Sequence, residues 1–121
     1  LNVLGTHLLL ELKDCNPQLL NNLEYIRESL LQTAKDIGAH VVGESFHQFS
    51  PQGVTGILSI AESHISIHTW PEYAYAAADI FTCGSPDMPK QAADLLIQRL
   101  ESKDSSVRQL ERGLTIPVVA R

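Results

Sequence analysis

"VTGILSIAESHISIHTW" (residues 54–70) decides how this chain folds. The run is rich in β-branched and apolar residues, yet it is long for one strand, because strands average about five or six residues. A break is therefore predicted near Glu62-Ser63. Glu62, Ser63, His64 and His68 then fall inside an otherwise apolar, strand-like run, where a buried polar group must find a hydrogen-bond partner or destabilise the fold.

Working outward, "AHVVGESFHQF" (39–49) reads as a strand and "SPQG" (50–53) as a turn. On the other side, "YAYAAADIFTCG" (73–84) reads as a strand whose alanines leave room for a neighbouring backbone or ligand. "VLGTHLLLELKD" (3–14) supplies a first strand that stops at Asn16-Pro17. In "NPQLLNNLEYIRESLLQTAKDIG" (16–38), Leu19, Leu23, Ile26, Leu30, Ala34 and Ile37 recur on one face of an amphipathic helix. Asn16 or Asn22 caps its start and Gly38 suits its end. A second helix is predicted over "PKQAADLLIQRLES" (89–102), entered through Ser85-Pro86-Asp87, and a last strand within "SSVRQLERGLTIPVV" (105–119).

The order β-α-β-β-β-β-α-β has connections mostly too short for parallel pairing. It predicts a single α+β domain over residues 1–121. The architecture is a two-layer sandwich, an antiparallel sheet with two main helices on one face. The other face needs a cover, which predicts dimerisation through the sheet. A net charge of −5, from 14 acids and 9 bases, argues against a phosphate-binding groove, so no nucleic-acid partner is expected. No stretch is long enough to span a membrane and no signal peptide opens the sequence. With two isolated cysteines, Cys15 and Cys83, outside any CxxC pattern, the expected compartment is the cytoplasm.

Three chemistries compete for the central stretch. A zinc site using His64 and His68 fails on spacing, because four residues of strand span about 13 Å while zinc–nitrogen bonds are about 2 Å. No metal is expected. A hydrolase built on Ser63 and His68 lacks the GxSxG turn. Taken singly, Ser63, His68 and Cys83 read as a strand filler, a satisfied polar residue and a small hydrophobe. The third chemistry uses all of them. A serine hydroxyl attacks the carbonyl before it to give an ester, and loss of the serine α-proton releases the upstream carboxylate. The dehydroalanine that remains hydrolyses to a pyruvoyl group. Such a ketone forms a Schiff base with an amine and acts as an electron sink for decarboxylation.

"ESHISIHTWPEY" (62–73) with "YAAADIFTCG" (75–84) resembles the signature of the prokaryotic S-adenosylmethionine decarboxylases. "LGTHLLLEL" (4–12), "HQFSPQGVTG" (47–56) and "ERG" (111–113) extend the likeness through most of the chain. The resemblance implies a self-processing, pyruvoyl-dependent enzyme that converts S-adenosylmethionine to the aminopropyl donor for spermidine synthesis. It implies a homodimer with active sites at the interface. Carried over residue by residue, it implies cleavage between Glu62 and Ser63 into segments 1–62 and 63–121, with Ser63 becoming the pyruvoyl cofactor. His68 would be the base for processing, Thr55 its support, and Cys83 the proton donor in turnover. Glu72 would hold the ribose hydroxyls and Phe49 would stack on the adenine. The rival readings are a pyruvoyl-dependent arginine or ornithine decarboxylase of the same fold, and an inactive homologue acting as a binding or activating subunit. In one straight strand, Ser63 and His68 would lie about 16 Å apart on opposite faces. Either a sharp bend or a second protomer must then bring such groups together.

Overall fold

The computed structural model describes residues 3–61, 63–83 and 86–114. The elements run β1 (Val3–Lys13), α1 (Pro17–Leu20), α2 (Leu23–Asp36), β2 (Val41–Gln48), β3 (Val54–Ile60) and β4 (Ser63–Trp70). A single turn of 3-10 helix (Pro71–Tyr73) leads into β5 (Tyr75–Thr82), α3 (Asp87–Arg99) and β6 (Asp104–Leu114). One sheet in the order β2-β3-β4-β5-β1-β6 takes in all six strands, every neighbouring pair antiparallel.

The long 54–70 stretch divides where its length predicts. Ile60 at the end of β3 faces Ser63 at the start of β4, so only two residues of sequence separate the paired strands. Glu62 itself lies outside the described residues, as do Gly84 and Ser85 in the entry to α3. Two-residue hairpins of this kind are the tightest way to join antiparallel strands.

Alternation in each central strand separates two faces. Leu8, Leu10 and Leu12 of β1, Leu58 and Ile60 of β3, Ile65 and Ile67 of β4 and Ala76, Ala78 and Ile80 of β5 are buried on one side. There α2 packs on β2 and β3, and α3 on β1 and β5, through Ile26, Leu30, Ala34, Ala92, Leu96 and Leu100. Each large aliphatic side chain so buried contributes about 1.5–3 kcal/mol. Ala76 and Ala78 of β5 are thus spacers under the helical layer, while Ala77 faces the open side.

The first helical segment differs from the single helix read from its periodicity. It is broken at Asn21-Asn22, and each candidate cap serves its own helix: Asn16 accepts from the Gln18 amide, and Asn22 from the Tyr25 amide, both at 3.0 Å. An asparagine that bonds the backbone of its own turn ends one helix as readily as it starts the next. The second helix starts two residues early, at Asp87, with no side-chain cap at Pro86. The last strand is described to Leu114; residues 115–119 of the predicted strand lie outside the described residues.

No helix among the described residues is long and apolar enough to cross a membrane. The opposite sheet face carries no helix among the described residues, and it presents His7, Leu9 and Glu11 of β1, with Ile57 and Trp70 well exposed.

Candidate active site

Ser63 opens β4 half-buried, with its neighbours alternating around it: Ile65 and Ile67 point into the core, and His64, Ser66 and His68 to the open face. Strand alternation therefore places Ser63 and His68 on opposite faces, about 16 Å apart along the strand. Ser63 lines a cavity of about 270 Å³ with Cys83, His40, Ala61 and Met88. Cys83 is exposed, and neither Cys83 nor Cys15 is in a disulfide. The nucleophile and the proton donor expected from the sequence thus share one end of the sheet, although twenty residues separate them in the chain.

The remaining expected residues gather at the other end. Thr55 and His68 are register partners across β3 and β4, with Thr55 Oγ1 3.0 Å from His68 Nδ1. They line a second cavity, about 330 Å³, together with Phe49, Trp70 and Glu72. Phe49 stands exposed just after β2, its ring edge-on to His47 at 4.5 Å between centroids. Trp70 stacks on Tyr75 at 5.5 Å, and the Tyr75 hydroxyl donates to Glu11 at 2.7 Å. Burial, then the bond to Glu11 and its negative charge, pushes the Tyr75 phenol up to about 12.

Between the two ends lies a groove of about 430 Å³ over Ala77, bordered by Leu9, Glu11, Ser66, His68 and Asp79. Here the structure gathers His7, Ser66 and Asp79, to which the sequence reading assigned no role, around His64, which it weighed only as a zinc ligand. His7 Nε2 donates to Asp79 Oδ2 at 2.6 Å, His64 Nε2 donates to the same oxygen at 3.1 Å, and Ser66 Oγ donates to Oδ1. Burial raises the Asp79 carboxyl, but bonds from Ser66, His7 and His64 outweigh it and leave the group below the usual carboxylate range. One signal was available: aspartate is disfavoured inside a strand, and Asp79 sits in the middle of "YAAADIFT". His40, beside Ser63, carried no such signal.

A pyruvoyl group would arise from Ser63 without any added ligand, so the fit can be judged on the chain itself. Ser63 follows directly on a two-residue hairpin and faces a cavity that also holds a thiol. That arrangement suits a self-generated carbonyl with an acid beside it.

Known proteins bear on this geometry. The model of the S-adenosylmethionine decarboxylase family matches residues 6–113. The S-adenosylmethionine decarboxylase proenzyme of Thermodesulfovibrio yellowstonii is 48% identical over 111 residues, covering 92% of this chain and 82% of that protein. The proenzyme of Prochlorococcus marinus (strain MIT 9211) is 45% identical over 116 residues, covering 96% and 95%. The crystal structure of the adenosylmethionine decarboxylase from Aquifex aeolicus VF5 superposes over the full length of both chains, with a TM-score of 0.91 and 34% identity. A match running through β1 to β6, on relatives of which 82% and 95% of the length is covered, places this chain in the S-adenosylmethionine decarboxylase family.

Proposed function

We propose that this chain cleaves itself before Ser63 and then, as a pyruvoyl enzyme, decarboxylates S-adenosylmethionine to the aminopropyl donor used for spermidine. The observation that carries the reading is the pairing of Ser63 with Cys83 around one cavity while Phe49, Glu72 and His68 border another. The names of the relatives favour S-adenosylmethionine over arginine or ornithine as substrate.

In self-processing, Ser63 Oγ bonds to the Glu62 carbonyl carbon as the C–N bond breaks, giving an ester. Removal of the Ser63 α-proton expels the Glu62 carboxylate; water then replaces the nitrogen of the dehydroalanine, which leaves as ammonia. His68 takes the α-proton. For its Nε2 to accept, Nδ1–H donates to Thr55 Oγ1, the contact seen at 3.0 Å. In turnover, the pyruvoyl ketone supplies an electrophile for the substrate amine and a sink for the electron pair left by carbon dioxide. Cys83 returns a proton to the substrate α-carbon. Phe49 offers a ring face to the adenine, and Glu72 accepts from the ribose hydroxyls.

His68 and Ser63 cannot meet within one protomer, given the length of β4. A two-fold axis lying between two such open faces, perpendicular to β4, stacks two sheets about 10 Å apart and sets the Ser63 end of one β4 toward the Glu72 end of the other. The exposed Ile57 and Trp70 on that face favour such burial. The reading therefore includes a homodimer whose two sites each draw on both protomers.

Intact-mass analysis tests it. The wild-type protein should give fragments of 62 and 59 residues, the second beginning with a carbonyl, and Ser63→Ala a single chain of 121 residues without activity. Release of carbon dioxide should follow S-adenosylmethionine, with arginine and ornithine inert. Full activity from an uncut chain lacking a carbonyl would overturn the proposal.

A further inference from the structure

Cleavage before Ser63 cuts the two-residue hairpin, and the end of β4 that carries the reactive carbonyl loses its covalent tie to β3. Strand ends without such a tie fray. What remains attached to that carbonyl is the amide of His64, whose side chain reaches Asp79.

Asp79 is the hub of a network that crosses four adjacent strands on the open face. Ser66 and Asp79 are register partners across β4 and β5, while His64, Phe81 and His7 form the neighbouring row across β4, β5 and β1. Asp79 thus reaches diagonally to a histidine on each side of Phe81, within the range of cross-strand diagonal neighbours. Arg112 of β6 donates from Nη1 to His7 Nδ1 at 3.0 Å. Because a guanidinium only donates, this contact fixes the His7 proton on Nε2, where it is given to Asp79. The same assignment makes the His7, His64 and Asp79 trio a hydrogen-bonded cluster, since metal ligation through Nε2 would turn a donor toward Arg112.

The Phe81 ring completes the setting. It stacks on His64 at 6.0 Å with a 24° interplanar angle and meets the His7 ring edge-on at 5.4 Å. Gly5 leaves room for it: a Cβ there would stand 2.6 Å from Phe81 Cζ.

We propose that this network, with Asp79 at its centre, is the positioning device that holds the cofactor-bearing end of β4 in place after the hairpin is cut. The inference rests on the self-processing reading above. Ser63 and Cys83 do the chemistry; Asp79 acts through His64 by keeping the first residues of β4 in register, so that the carbonyl and the thiol stay aligned.

The experiment compares hydrogen exchange over residues 63–70 in the cleaved protein with turnover. Asp79→Asn and His64→Leu should each speed exchange there about tenfold or more, as expected for loss of a charge-assisted hydrogen bond. His64→Gln, which keeps a donor, should restore most of the protection. Turnover should fall about 10- to 100-fold in kcat with KM little changed, the signature of a misplaced reacting group with substrate contacts intact. The second fragment should also begin more often with alanine in place of pyruvoyl, the mark of a proton delivered to the wrong carbon. Glu44→Gln, which breaks the exposed Arg27–Glu44 ion pair, serves as control and should change neither reading. If Asp79→Asn stalls uncut, the cleaved His64→Leu protein decides: faster exchange over 63–70 than in cleaved wild type supports the proposal, and equal exchange overturns it. Wild-type protein that cleaves, with variants matching it in exchange and kcat, overturns this inference alone. Wild-type protein that never cleaves removes the reading beneath it.

Discussion

The two ends of β4 are built differently, and the contrast matches the two tasks proposed for this strand. The Ser63 end is tied down from many directions: the hairpin, the Asp79 network and the Phe81 ring all converge on the first residues of the strand. The His68 end is open. Phe49 and Trp70 are partly exposed there, Glu72 is exposed on a 3-10 turn anchored by the buried Pro71, and the polar contact of His68 is with Thr55 on the neighbouring strand. An end held by several contacts suits a group that must keep its place relative to an acid. An open end with aromatic faces suits the capture of a nucleoside.

The sharpest way to break this comparison is to remove one chemical group from each end. His68→Ala should stall the precursor, because nothing removes the α-proton of the ester. Cys83→Ala should still cleave, at least in part, and then fail in turnover. General acid–base groups contribute about 10²–10⁴-fold, so losses of that size are expected at separate stages. Gel analysis reads the first and carbon dioxide release the second. Normal turnover by Cys83→Ala would detach the thiol from the site.

A smaller effect tests whether the two ends belong to one site in different protomers. Ser63→Ala and Glu72→Gln proteins, each inactive or nearly so, are mixed under conditions that exchange subunits. In a mixed dimer one site combines an intact Ser63 with an intact Glu72, and the other has neither. Random exchange makes half the dimers mixed, so about a quarter of wild-type activity should return. No recovery despite proven exchange would confine each site to its own protomer.

The ends also differed in how readily the sequence revealed them. The break expected near Glu62-Ser63 followed from length alone, and the opposite faces of Ser63 and His68 followed from a period of two, which holds along β4 because its pairing with β3 runs without a bulge. The helix periodicity placed Ile26, Leu30 and Ala34 in the core correctly, yet it ran through Asn21-Asn22, because a kink of one or two residues barely shifts a four-three spacing. The cavity shared by Ser63, Cys83 and His40 depends on strand order, with β5 beside β4 and β2 at the edge, and local pattern does not encode order. The Asp79 network depends on it twice, since β1 inserts between β5 and β6 and carries His7 to within reach of both.

The smallest expected effect separates the two ends by pH. Asp79 is held below the usual carboxylate range, first against burial and then by Ser66, His7 and His64. A carboxyl with a lowered native pKa contributes stability that is present above its unfolded value, about 4, and is lost as the pH falls below it. Tyr75 is the opposite case. Its phenol is raised to about 12, so its bond to Glu11 is fully present below an ordinary value near 10 and is lost as the pH climbs from there toward 12. Acid should therefore loosen the Ser63 end and alkali the Glu72 end. Trp70, the chain's one tryptophan, stacks on Tyr75 and reports the second event directly. Its fluorescence should hold steady as the pH falls below about 4, where exchange over 63–70 begins to rise, and change between pH 10 and about 12. Tyr75→Phe should remove that alkaline step and leave the acid one. If Asp79→Asn abolished both, the two ends would be one cooperative unit, and the division of labour along β4 would have to be given up.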